Sequence, residues 1–270
     1  MAIITISRGS YSKGKEVAEK VAERLHYDCI SRDVILDTSD HFNIPEVKLI
    51  RAIHDAPTLL DRFGHDKRSY IAYFQSALTE RVKRDNVVYH GLAGHLLLKG
   101  VPHVLKVRII SDFSERVKAE MEREGCHESD ARKLILKDDQ ERRKWTRSLF
   151  GADPWDSSLY DLVVHIHKLT VEDAVDFISQ AACRDAFKTT DASMKQMEDL
   201  ALACRIKAEL VDEFFDIYVS SDYGNVVVYA KDKDRSTQKL RNRVKTLGEK
   251  IRGIHHIEVH GGIPVPANAV

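Results

Sequence analysis

Residues 9–16 read Gly-Ser-Tyr-Ser-Lys-Gly-Lys-Glu, GSYSKGKE. The spacing GxxxxGK is that of a phosphate-binding loop, with Glu16 where that loop commonly carries Ser or Thr. The flanks decide how the motif is read. Ahead of it, Ala2 to Ser7 (AIITIS) is a short apolar strand; behind it, Val17, Ala18, Val21, Ala22 and Leu25 recur with a helical period. A glycine-containing turn between a strand and a helix N-terminus gathers backbone N–H groups into an anion site. Gly9 starts the turn and Gly14 lets the backbone come close to a ligand. Lys15 reaches the phosphates as a point charge, and Lys13 adds a second positive charge that a purely structural turn does not need. Ser10 and Ser12 offer hydroxyls within the loop. Glu16 either turns away as a first-turn acid favoured by the helix dipole or leaves a metal to other groups.

Outward from the loop, strands and helices alternate. HYDCISRDVI is a second strand running into a turn, and residues 37–84 are helical with breaks at Pro45, Pro57 and Gly64. Val87 to Tyr89 forms an apolar strand ending in His-Gly, followed by a short helix. HVLKVRIIS and YDLVVHIHKL are further strands, separated by a long charged helical region and closed by the helix TVEDAVDFISQAAC, with Thr170 as its N-cap. Such alternation predicts a parallel sheet with crossover helices. A composition shift marks 185–194 as a linker, which leaves 1–184 as the first domain. The remainder, 195–264, reads as a small αββαβ unit with a hairpin at Tyr223-Gly224-Asn225.

Charge and composition exclude several classes. Lys plus Arg equals Asp plus Glu at 42 each, so no basic excess points to nucleic acid. No apolar run is long enough to span a membrane, and the start lacks the pattern of an export signal, so the chain is expected in the cytoplasm. Cys29, Cys126, Cys183 and Cys204 are far apart and form no CxxC pair, so they are expected to be free thiols. His165 and His167 share one face of their strand, but they lack an obvious third ligand, so no resident metal site is expected.

The opening ISRGSYSKGKEVAEKVAERL, followed by CISRDVIL, resembles the cytidylate kinase-like proteins among the nucleoside monophosphate kinases. Relatives typically open ISRE-YGSGGRE-IA, which makes Glu16 a family trait, and YDLVVHI resembles their YDLVINT strand. The likeness covers residues 1–182 or so and implies an α/β kinase-type parallel sheet with helical acceptor-binding and lid segments. It implies an enzyme that uses ATP and Mg²⁺ and acts on a nucleoside monophosphate. Arg8, Ser12, Lys13, Gly14 and Lys15 would hold donor phosphates, and Arg32, Asp33, Arg51 and Arg62 would grip the acceptor. Arg142 and Arg143 would neutralise charge in flight, oriented by Asp138 or Asp139. Relatives often follow the third strand with a Gly-Arg pair at the acceptor; here the stretch is YHGLAGHLL, with Leu92 at that point and His90 or His95 as substitutes. A regulatory nucleotide-binding protein with lost or altered acceptor chemistry is therefore the second expectation. The C-terminal unit resembles a BON domain, ending in GIHHIEV, which implies a ligand- or partner-binding module of unknown target.

Overall fold

The computed structural model describes residues 2–9, 12–31, 33–43, 46, 64–214, 216–230, 235–262, 264–266 and 268–270. Its larger sheet contains β1 (Ile3–Arg8), β2 (Asp28–Ile30), β3 (Val87–Tyr89), β4 (Val104–Ser111) and β5 (Leu162–Ile166). The strands are all parallel, in the order β2-β3-β1-β4-β5.

Strand side chains alternate between faces, so one short strand feeds two cores. Ile3, Val87 and Tyr89 face one layer with Phe74, Leu78 and Trp145; Ile4, Ile6, Val88, Val107 and Ile109 face the other with Val17, Val21, Val175 and Ile178. The second layer is formed by α1 (Gly14–Leu25) and α7 (Val171–Ala182). Lys20 and Arg24 of α1 pair with Glu172 and Asp176 of α7 along the outer edge. Thr170 caps α7 through a reciprocal box with Asp173, as the sequence suggests. On the first face lie α3 (Gly64–Val82), α4 (Gly94–Leu97) and part of α6 (Glu128–Phe150), while α2 (Asp33–Phe42) packs on α3. The charged region is two helices rather than one: α5 (Phe113–Glu124) ends at Gly125 and packs on α6 through Val117, Ala131 and Ile135.

Beyond α7, α8 (Asp191–Leu210) leads into β6 (Ile217–Asp222), β7 (Asn225–Ala230), α9 (Arg235–Lys250) and β8 (His256–Gly261). Strands β6 and β7 are antiparallel and β8 runs parallel to β7, which gives the αββαβ order expected from sequence. The helix α8 is buried on two sides. Met197 and Ala201 join the core under the larger sheet, whereas Ala203, Ile206 and Leu210 join the core of the smaller one. Burying a large apolar side chain contributes about 1.5–3 kcal/mol, so each sheet has a stake in this helix. From its middle, Asp199 reaches the β6–β7 turn and accepts from Ser221 Oγ at 2.6 Å, Tyr223 N at 2.8 Å and Gly224 N at 2.9 Å. The four cysteines are free, as expected.

Candidate functional site

The loop of residues 9–13 joins β1 to α1, at the C-terminal edge of the sheet where ligands bind in open α/β folds. Lys13 sits in the left-handed region (φ 59°) and caps α1 without a side-chain bond. The first-turn N–H groups are therefore left to the helix dipole and to whatever anion approaches. Gly14 is required here: a Cβ on it would come within 2.7 Å of Arg8 Cβ and 2.8 Å of Arg8 Cδ. Ser12 is fully buried, and its hydroxyl donates to the carbonyls of Gly9 at 3.0 Å and Ile109 at 3.3 Å. It pins the loop to β4. Glu16 takes the first of its two sequence options, exposed and 3.7 Å from Lys20. Lys15 is also exposed, with Glu19 at 3.6 Å.

A cavity of about 330 Å³ opens over the ends of β1 and β3. Arg8 and Gly9 line it from the phosphate loop, and Arg142 and Arg143 from α6. Phe74, Leu92 and Trp155 supply apolar surface, and His90 and His95 complete the wall. Thus Arg8, Gly9, His90, Arg142 and Arg143, chosen from sequence, meet in one place. Ser12, Lys13, Gly14, Lys15, Glu16 and Asp33 lie outside its lining, while Ser10, Arg32, Arg51 and Arg62 fall outside the described residues.

The two arginines of α6 differ in kind. Arg143 grips Asp153 through Nε and Nη2, with Nη2 at 2.6 Å from Oδ2, and its guanidinium lies 4.0 Å from the centre of the Trp155 ring. Asp153 also accepts from Arg147 at 2.5 Å, and these hydrogen bonds hold its carboxyl well below the usual carboxylate range. Arg142 has no carboxylate partner among the described residues. The carboxylate that pairs with Arg143 is Asp153, and Asp139 pairs with Arg116 at 2.7 Å. Arg116 in turn lies beside Gly9, its Cζ 3.5 Å from where a Cβ would stand, so α5 stands between the loop and α6. Arg108 donates to the carbonyl of Pro154 and to Tyr160 Oη. Sequence reasoning missed Arg108, Arg116, Asp153 and Trp155. Nothing in their local sequence sets them apart from other surface residues.

Two glycines clasp the Tyr89 ring. A Cβ on Gly91 or Gly94 would meet that ring at 2.4 or 2.5 Å, and Tyr89 Oη donates to the Leu92 carbonyl at 3.2 Å. The clasp carries His90 and His95 into the cavity wall, where burial lowers their pKa values to about 4 and about 3. Leu92 packs partly buried against the core, so no cation stands at that point. Elsewhere, Asp112 contacts both His165 Nε2 at 2.9 Å and His167 Nδ1 at 2.7 Å. Among the described residues no group of His, Cys, Asp and Glu is arranged to hold a metal, and no helix is long and apolar enough to cross a membrane.

The five-stranded parallel sheet in the order β2-β3-β1-β4-β5, flanked by helices, has a phosphate-loop kinase fold. The chain belongs to the cytidylate kinase-like family, whose model matches residues 3–168. The fold is similar to that of an uncharacterized protein from Eubacterium ventriosum, at 22% identity over 68% of this chain and 100% of that one, TM-score 0.53. Lower on the scale are shikimate kinase from Bacteroides thetaiotaomicron, at 10% identity over 67% and 97% with TM-score 0.41, and deoxyadenosine kinase from M. mycoides, at 10% over 66% and 97% with TM-score 0.36. No curated protein matches the chain.

The α1 N-terminus has no side-chain cap, and Arg8 packs against Gly14 beside it, so the residues present fit the phosphates of a nucleotide. Ser12's hydroxyl donates to two backbone carbonyls, and among the described residues no group of His, Cys, Asp and Glu is arranged to hold a metal, so Mg²⁺ would come with those phosphates.

Proposed function

We propose that this protein is a nucleoside monophosphate kinase that moves a phosphoryl group from ATP to a CMP- or dCMP-like acceptor. One observation carries the reading: Arg8 and Gly9 face Arg142 and Arg143 across a cavity with an apolar, aromatic wall. Phosphoryl transfer needs positioning and charge stabilisation rather than a covalent nucleophile, and this arrangement offers both. When bound, Mg·ATP supplies the phosphoryl group. The loop backbone and the α1 N-terminus hold its phosphates together with Arg8, Ser10, Lys13 and Lys15. Leaving Glu19 for a phosphate costs Lys15 little, since an exposed ion pair is worth about 0–1 kcal/mol. Arg142, with no carboxylate partner among the described residues, is the group best able to follow the charge in flight, while Arg143 is held in place beside it. Arg32, Asp33, Arg51, Arg62 and His90 are assigned to the acceptor.

In the same reading, 1–184 is the kinase domain, 185–194 the linker and 195–264 a BON-like module that binds a ligand or partner, in a cytoplasmic enzyme. One observation favours a second reading, a nucleotide-binding regulator with altered chemistry: Leu92 is packed where relatives carry an arginine. Coupled ADP release with ATP, Mg²⁺ and each monophosphate separates the two. Acceptor-dependent turnover that is lost in Lys15→Ala supports the kinase. ATP binding without such turnover leaves the regulator, and unaltered ATP binding in Lys15→Ala removes both.

A further inference from the structure

We infer that His95, with His90 beside it, determines acceptor specificity by recognising the hydrogen-bonding edge of an uncharged, planar base rather than the acceptor's phosphate. The inference deepens the phosphoryl-transfer reading above and rests on it.

His95 is 4% exposed, and neither its Nδ1 nor its Nε2 has a hydrogen-bond partner; His90 is 7% exposed, and its Nδ1 has none. Leaving such a buried atom unsatisfied costs about 1–3 kcal/mol, so buried polar atoms nearly always have partners. His103 is buried and unpartnered too, but it is not part of the cavity wall. Burial alone therefore does not single out His90 and His95; their place beside the space does.

The chemistry of the wall then narrows the ligand. Both rings are held neutral, first by burial, with the positive charges of Arg8 near His90 and Arg108 near His95 acting in the same direction. A neutral imidazole presents one donor and one acceptor and has no charge to offer a phosphate. Taken together, the two rings can offer one donor and one acceptor, which complements an amide or amidine edge. Aromatic surface surrounds it: the Tyr160 ring lies 4.6 Å from His95, and Phe74 and Trp155 line the cavity. Flat rings favour a flat ligand through stacking. Arg8, Arg108, Arg142 and Arg143 line the same cavity, so a phosphate has cations to meet there and does not need the neutral rings. A volume of about 330 Å³ lies within the usual range for small-molecule sites.

The test uses the full chain, with cytidine, uridine and adenosine as phosphate-free probes in calorimetry and the matching monophosphates in the kinetic assay. His95→Phe keeps a ring without nitrogens; His95→Asn restores a donor and an acceptor. The expected result is that one nucleoside binds the wild type in preference to the others. In His95→Phe its binding weakens by about ten- to a hundredfold and the preference disappears, with ATP affinity unchanged. His95→Asn recovers part of both. If His95→Phe proves unfolded by thermal melting, His95→Asn and His90→Asn carry the same comparison. Unchanged base preference in the folded variants overturns the inference while leaving phosphoryl transfer standing, and so does a wild type that binds no nucleoside but turns over monophosphates. Base-selective binding that depends on His95, without turnover of any monophosphate, retains the inference and removes the kinase reading.

Discussion

The Arg143 guanidinium meets the Asp153 carboxylate at two points, Nε to Oδ1 at 3.0 Å and Nη2 to Oδ2 at 2.6 Å, whereas its neighbour Arg142 has no carboxylate partner among the described residues. A bidentate pair fixes a side chain in orientation as well as position. Adjacent arginines on one helix thus divide the work. Arg142→Met is expected to lower kcat by about a hundred- to a thousandfold with little change in the KM for ATP. Arg143→Met and Asp153→Asn are expected to lower the melting temperature and to affect kcat less. Steady-state kinetics and thermal melts check this, and a larger kcat loss for Arg143 would reverse the assignment.

Gly14→Ala addresses the phosphate loop. The added methyl would meet Arg8 at its Cβ, an atom fixed to β1, so the loop rather than a flexible side-chain tip must give way. A cost of about 1–3 kcal/mol and weaker ATP binding are expected. Denaturant titration and ATP calorimetry on the same variant read the two effects; if neither moves, the close approach is not needed.

The buried histidines predict a pH dependence with a definite sign. The folded pKa values of His90 and His95, about 4 and about 3, lie below the ordinary 6.5, and His103 is shifted in the same direction by its burial. As pH falls below 6.5 the unfolded chain takes up protons at these sites that the folded chain refuses. Stability is therefore fully present above 6.5 and is lost toward pH 4, by about 1.4 kcal/mol per pH unit for each such histidine. The loss ends once the folded groups protonate. Denaturant midpoints at pH 7, 6 and 5 should fall with a slope that His95→Asn makes shallower; parallel slopes for the two proteins would refute the account.

Asp199 links α8 to the smaller sheet by three hydrogen bonds from a nearly buried position. Asp199→Ala leaves two backbone N–H groups of the β6–β7 turn without their acceptor, for an expected cost of about 2–4 kcal/mol. Asp199→Asn should cost less because one oxygen remains. Amide exchange in β6 and β7 is the direct measurement, and faster exchange confined to other elements would contradict it.

Much of the fold was legible because its signals are local. AIITIS followed by a Gly-Lys turn and a 3.6-period helix specifies strand, anion loop and helix within some 25 residues. Tyr223-Gly224, both at positive φ, mark the hairpin in the same way. The division of the charged region into α5 and α6 was not legible, since amphipathic helical pattern continues on both sides of Gly125. Nor was the double role of α8, whose faces are apolar in sequence without saying which sheet each will meet.

By itself, then, the sequence determined the order of elements and the glycine-lysine loop between the first strand and the first helix. It placed Arg142 and Arg143 together on one helix but could not tell them apart. Only the tertiary structure decided that Asp153 holds Arg143, that Arg116 pairs with Asp139 beside Gly9, and that His90 and His95 share a cavity with Arg8. The physical reason is the range of the interactions. Helical period, turns and backbone anion sites are set by neighbours along the chain, whereas ion pairs and buried imidazoles depend on which distant elements packing brings within a few ångströms.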